Sequence, residues 1–172
     1  MRLKTDRLKI VPLDIKYLSE VHSYSSDIEN TRNMLFLPNK SVGETEMFIL
    51  DAMKQWQSKE QRIFEFVIFM EEKLVGSVSI DILDDNITGE FGWIINKKYW
   101  GKGIATEAAR AVLEFGKEKL NLKRFVAHCD SENIGSKTVM EKLNMKLLSS
   151  TPGRVNRDGS KDRIELEYEL II

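Results

Sequence analysis

The middle of the chain carries a two-residue rhythm. Phe64, Phe66 and Ile68 alternate with Glu65 and Val67, and Val78, Ile80 and Ile82 alternate with Ser77, Ser79 and Asp81. That period predicts half-buried strands, because successive side chains of a strand point to opposite faces. Glu71-Glu72-Lys73 predicts a tight hairpin between the two strands, and the turn residues Asp84-Asp85-Asn86 introduce a third strand over Gly89 to Asn96. Consecutive strands joined this closely form an antiparallel meander.

From Gly103 onward the spacing becomes helical. Ile104, Ala108, Ala111, Val112 and Phe115 recur on one side, with Glu107, Arg110, Glu114 and Lys117 on the other. A short apolar strand over Arg124 to Cys129 follows, then a helix over Asn133 to Leu143. In a last strand Ile164, Leu166, Tyr168 and Leu170 alternate with Glu165, Glu167 and Glu169. Ahead of the meander, Leu8, Ile10 and Pro12 predict a short strand, Asp14 caps a helix running to Tyr24, and another helix spans Glu44 to Lys59. The order after these helices is β-β-β-α-β-α-β. The apolar face of Ile164 to Ile172 can be covered by its own sheet or by a second copy, so monomer and homodimer both stay open.

Composition narrows the class. A length of 172 residues with 42% hydrophobic and 31% charged residues suits one domain spanning 1–172. No run of about 18 apolar residues could cross a bilayer, and no export signal opens the chain, so a soluble cytoplasmic protein is expected. Basic and acidic residues number 26 and 27, which leaves no global field for nucleic acid or anionic lipid. One cysteine, Cys129, and two histidines, His22 and His128, exclude an internal disulfide and a Cys/His zinc cage. No metal is expected.

The chemistry concentrates where a strand ends at Lys97-Lys98-Tyr99-Trp100 and a helix begins, across a turn holding Gly101 and Gly103. The first N–H groups of a helix have no intrahelical partner and lie at the positive end of its dipole, so they suit a phosphate. Small Ala105 and Thr106 keep the approach open. A dinucleotide fingerprint would need a third glycine where Thr106 stands; Asp130 after the next strand keeps that reading open, while the preceding antiparallel meander opposes it. A Walker loop fails, because no Gly-Lys-Ser/Thr stands at the required spacing.

Trp100-Gly101-Lys102-Gly103-Ile104-Ala105 resembles motif A of the GNAT superfamily of N-acetyltransferases, Gln/Arg-x-x-Gly-x-Gly/Ala, with Gly103 and Ala105 at its small positions and Trp100 in place of Gln or Arg. The longer string from Phe91-Gly92-Trp93-Ile94-Ile95 to Thr106-Glu107-Ala108 resembles the ribosomal-protein N-acetyltransferase-like branch. Asn133-Ile134-Gly135-Ser136 resembles that branch's Asn-x-x-Ser, and Thr5-Asp6-Arg7-Leu8 its Thr-x-Arg-Leu opening. The resemblance covers nearly the whole chain. It implies an α/β (α+β) fold with a mixed, mostly antiparallel central sheet flanked by helices and two splayed parallel strands at the cofactor site.

It also implies acetyl-CoA as cosubstrate and a primary amine as acceptor, either a protein N-terminus or a small molecule; a non-catalytic acyl-CoA-binding module is the alternative. Trp100, Gly101, Lys102, Gly103, Ile104, Ala105 and Thr106 would give backbone N–H groups to the pyrophosphate. The main chain at Trp93, Ile94 and Ile95 would pair with the pantetheine arm as an added strand does, and Asn133 would contact that arm. Many family members carry a Tyr seven residues after this Asn; here it is Met140. Ser136 is then the candidate proton donor to the departing thiolate, and Glu90 the candidate base, with Asp81 behind it. Cys129 could form an acetyl-cysteine, although direct transfer is usual for the family. His128 shows no partner in the sequence and is expected to be structural. Acceptor specificity is expected from the helical segment around Asp14 to Trp56 and from the loop around Thr151 to Lys161.

Overall fold

A computed structural model describes all residues, Met1 to Ile172. One eight-stranded sheet has the order β1-β2-β3-β4-β5-β6-β8-β7. Its strands are β1 (Leu3–Lys4), β2 (Leu8–Pro12), β3 (Ile63–Met70), β4 (Lys73–Ile82), β5 (Thr88–Ile95), β6 (Arg124–Asp130), β7 (Lys146–Arg154) and β8 (Arg163–Ile171). Every neighbouring pair is antiparallel except β5 with β6. The expected mostly antiparallel sheet is therefore present, with its one parallel pair where the phosphate-type turn intervenes. The helices are α1 (Leu18–Ser25), α2 (Ile28–Thr31), α3 (Val42–Gln57), α4 (Ile104–Lys119) and α5 (Ile134–Lys142).

The two-residue rhythm sorts side chains between two cores. Phe64, Phe66, Val78, Ile80, Phe91 and Phe125 lie against Ala108, Val112 and Phe115 of α4 and Val139 and Met140 of α5. Val67 on the other face packs with Leu13, Val21 and Tyr24 near α1 and with Ile49 and Ala52 of α3. Met140 is fully buried in the first core, so it occupies the place of the family's Tyr as packing.

Two local expectations need correction. Asp14 caps only a 3-10 turn over Ile15–Tyr17, accepting from the Lys16 N–H, and α1 starts afterwards at Leu18. The stretch Thr151 to Arg154 is not loop but the end of β7, an edge strand whose exposed side chains give no alternation to read; Pro152 fits there because an edge tolerates a missing donor. The last strand, β8, lies between β6 and β7 in the sheet, with Leu166 and Tyr168 buried while Ile164 and Ile171 stay exposed.

Candidate active site

Strands β5 and β6 pair only from Thr88–Arg124 to Phe91–Ala127, then part. Beyond Phe91, one edge of β5 is free. Its main chain can be assigned from register, since Asn96 donates to the Val75 carbonyl and antiparallel hydrogen-bonded pairs recur every second residue. Ile94 therefore exchanges its hydrogen bonds with Ser77, while Trp93 and Ile95 turn theirs to the open side. The Ile95 carbonyl already accepts from the Trp100 indole at 2.7 Å and the Asn30 amide at 3.2 Å. What remains on that edge is the main chain of Trp93 and the N–H of Ile95.

The turn into α4 presents the second donor set. Gly101 and Gly103 have φ of 75° and 74°, a left-handed conformation that leads straight into the helix. From Gly101 through Thr106 the backbone N–H groups donate to no protein acceptor; the first helical bond here is from Glu107 to the Gly103 carbonyl. Arg7 fixes this turn from outside. Its guanidinium donates to the Lys102 carbonyl at 3.1 Å and pairs with Glu107 at 2.6 Å, while Thr5 donates to the same carboxylate at 2.5 Å. The Thr-x-Arg opening thus acts as a clamp on the turn about a hundred residues later, a link no local signal reveals.

Around this turn lies a groove of about 510 Å³ lined by Trp93, Ile95, Tyr99 to Thr106 and Asn133 to Ser136, with Arg32, Lys102 and Lys142 adding positive charge. On the other sheet face a cavity of about 430 Å³ is walled by Tyr24, Met34 to Leu37, Phe48, Glu65, Ser77, Asp81, Glu90, His128 and Arg154. Trp93, Ile94, Asn133 and Ser136 border both spaces, so the gap between β5 and β6 joins them. Nearly all the residues singled out in the sequence converge here. Residues from both expected specificity segments line the cavity: Val21, Tyr24, Met34 to Leu37 and Phe48 among those of the first, Arg154 from the second.

Asn133 caps α5 by accepting from the Ser136 N–H at 3.0 Å, which sets the first turn and the position of the Ser136 side chain. The Trp93 indole donates to Ser136 Oγ at 3.1 Å. One oxygen lone pair is occupied in this way, and the hydroxyl proton stays free to be given elsewhere.

His128 is not isolated, contrary to the sequence reading. Parallel pairing of β5 with β6 brings its Nδ1 to 3.0 Å from Glu90 Oε1, and that hydrogen bond raises the imidazole above its ordinary value against the opposing effect of burial. The pairing was hidden in the sequence because strand adjacency, not spacing, creates it. Burial pushes the Glu65 carboxyl up to about 8, with the Asp81 charge adding and the Ser79 hydroxyl opposing. Burial and the Glu90 charge raise Asp81 to about 6. Asp81 Oδ1 is buried without a hydrogen-bond partner.

Burial likewise lifts the Cys129 thiol to about 11. A thiolate is the nucleophile, so this side chain is inert at neutral pH. Alkylation by iodoacetamide at pH 8 is expected to run about 100-fold slower than for an exposed cysteine; labelling of the native protein at the rate of a free thiol would show Cys129 to be accessible and activated.

Asp130, the residue that kept a dinucleotide reading open, is committed elsewhere. Fully buried, it accepts from Arg163 at 2.9 Å, Asn156 at 2.7 Å and the Glu132 N–H at 2.9 Å. Burial alone would raise its carboxyl, yet these donors hold it below the usual range. It cannot also serve a ribose, and the sheet is not the parallel one such a site requires.

The family model for an acetyltransferase (GNAT) domain matches residues 7–146. An uncharacterised N-acetyltransferase of Bacillus subtilis, YnaD, is 32% identical over 146 residues, 85% of this chain and 83% of that protein. A GNAT-family acetyltransferase structure from Bacillus anthracis superposes with a TM-score of 0.85 at 28% identity, covering 99% and 98% of the two chains. RimL, an α-N-protein acetyltransferase of ribosomal L7/L12 solved with coenzyme A, shares the fold at a TM-score of 0.88 and 18% identity, covering 100% and 98%. The matched span runs from the Arg7 clamp past the Asn133–Ser136 cap and so takes in the whole groove and all of the cavity's lining except Arg154: this chain belongs to the GNAT acetyltransferase family.

Proposed function

We propose that the chain transfers the acetyl group of acetyl-CoA directly to a primary amine, with the cofactor in the groove at the α4 turn and the acceptor in the cavity across the splay. The observation that carries this reading is the run of unpaired N–H groups from Gly101 to Thr106, clamped by Arg7 and continuous with the free edge of β5. Such a run at a helix N-terminus fits a pyrophosphate in hydrogen bonding and in charge. The free main chain at Trp93 and Ile95 fits the amides of a pantetheine arm, and Arg32, Lys102 and Lys142 fit the remaining phosphate charge.

When bound, acetyl-CoA supplies an acyl thioester as the electrophile. The chain's residues then have two proton tasks as the C–N bond forms and the C–S bond breaks. Glu90, held by His128, takes a proton from the amine, directly or through water. Ser136, oriented by its own N–H bond to Asn133 and by the Trp93 indole, gives its hydroxyl proton to the departing sulfur and regains one from solvent. The inert thiol of Cys129 favours direct transfer over an acetyl-cysteine.

Ser136→Ala is expected to lower kcat by about 100-fold, the lower range for general acid catalysis, while calorimetric affinity for acetyl-CoA changes by less than about threefold. An unchanged kcat would remove Ser136 from the chemistry. Tight acetyl-CoA binding without thiol release across an amine panel would instead favour a binding module.

A further inference from the structure

One end of the acceptor cavity is more acidic than proton removal needs. Asp81 and Glu90 stand directly opposite each other across β4 and β5, and Glu65 on β3 lies diagonally beyond, opposite Ser79. All three line the cavity. Like charges opposed in a ladder destabilise it, so an arrangement of this kind calls for a cation. Glu90 has one in His128 at 3.0 Å. Asp81 and Glu65 have none: the charged groups acting on them are only each other and Glu90, and Asp81 Oδ1 is buried without any hydrogen-bond donor. Arg154, the cavity's remaining cation, is spent on Glu165 at 2.6 Å, Asn156 at 2.8 Å and the Asn33 carbonyl at 3.1 Å.

The surroundings suit an alkyl chain. Val21, Tyr24, Leu35 and Phe48 wall the same cavity. Strand spacing sets the scale: Asp81 lies one strand from Glu90 and Glu65 two, about 5 and 10 Å away laterally.

We propose that Glu65 and Asp81 form a second-cation subsite, and that the acceptor is a small diamine whose far ammonium binds there while its near amine reacts beside Glu90. This rests on the acetyltransferase reading. The far ammonium keeps its protons and takes no part in bond making; it supplies the positive charge that the carboxylates lack and fixes the reach of the reacting end. A protein N-terminus without a basic residue nearby brings no second cation, so Glu65 and Asp81 would stay without a counter-charge and add nothing to its binding.

The test compares 1,4-diaminobutane, n-butylamine and a serine-leading peptide without basic residues, at saturating acetyl-CoA, by thiol release. In the wild type kcat/KM for the diamine is expected to exceed that for the monoamine by about 30-fold or more, the range for a buried charge pair. In Glu65→Gln and Asp81→Asn the ratio should fall toward one, with calorimetry for acetyl-CoA and the melting temperature reporting that each variant is folded and loaded. Equal use of diamine and monoamine, preference for the peptide, or a ratio untouched by both substitutions would each overturn the subsite and leave acetyl transfer standing. Failure of the wild type to bind acetyl-CoA would overturn both.

Discussion

Gly103→Glu is expected to abolish measurable acetyl-CoA binding in a protein that remains folded. Gly103 caps α4 with φ of 74°, and an added Cβ there would meet only the Arg7 guanidinium, at 3.7 Å. Space is thus available, and the loss has two other sources. A side chain in the left-handed region costs about 1–2 kcal/mol. A carboxylate at the mouth of the turn repels the pyrophosphate by several kcal/mol and competes with Glu107 for Arg7, so affinity should drop by more than about 100-fold. Gly103→Ala carries the strain without the charge and should lose no more than about tenfold. Calorimetry on both variants separates the two contributions. If Gly103→Glu binds acetyl-CoA within about threefold of wild type, the phosphates do not sit on this turn.

The second large effect is on the fold. Asp130→Ala should destabilise the protein by about 3 kcal/mol, because it removes the acceptor at the centre of a buried network and takes one hydrogen bond each from Asn156, Arg163 and the Glu132 N–H. For a chain of this size that corresponds to a fall in melting temperature of roughly 10 °C. The network has a second reach. Arg154 and Arg163 bond to Asn33, and Arg157 bonds to the Phe36 carbonyl at 2.8 Å and to Glu44 at 2.9 Å, so the end of β7, the start of β8 and the connection between them hold the Met34–Leu37 wall of the cavity. Acceptor KM should therefore rise more than acetyl-CoA affinity falls. A melting temperature within about 2 °C of wild type would show the carboxylate to be dispensable.

What the sequence disclosed follows from how local the cause was. The strands carrying Phe64 to Ile68 and Val78 to Ile82 could be read because their large apolar side chains recur at every second position toward the α4 core, and α4 because Ile104, Ala108, Val112 and Phe115 share a side. The donor turn at Gly101 to Thr106 was equally legible, since positive φ and small residues are written in adjacent positions. β7 was not, because both of its faces are largely exposed along an edge and no alternation survives. Nor were the pairs made by tertiary contact alone: Glu90 with His128 depends on two strands running parallel, and Arg7 with Glu107 on a strand edge passing a helix start. The acidic row was visible only as scattered carboxylates until strand register aligned Glu65, Asp81 and Glu90 on one face.

The Thr5–Arg7 clamp widens what counts as the proposed cofactor seat. A loop that must hold a run of amides in one orientation loses affinity for every conformer it samples besides the right one. By tying the Lys102 carbonyl and the Glu107 carboxylate to the β1–β2 turn, the chain has moved the cost of that ordering into folding itself. On the proposed reading, the residues before β2 help to hold the turn on which the phosphates rest. A fusion or truncation there is then expected to weaken acetyl-CoA binding from a distance, and a stronger junction to tighten it while the proposed reacting groups stay untouched.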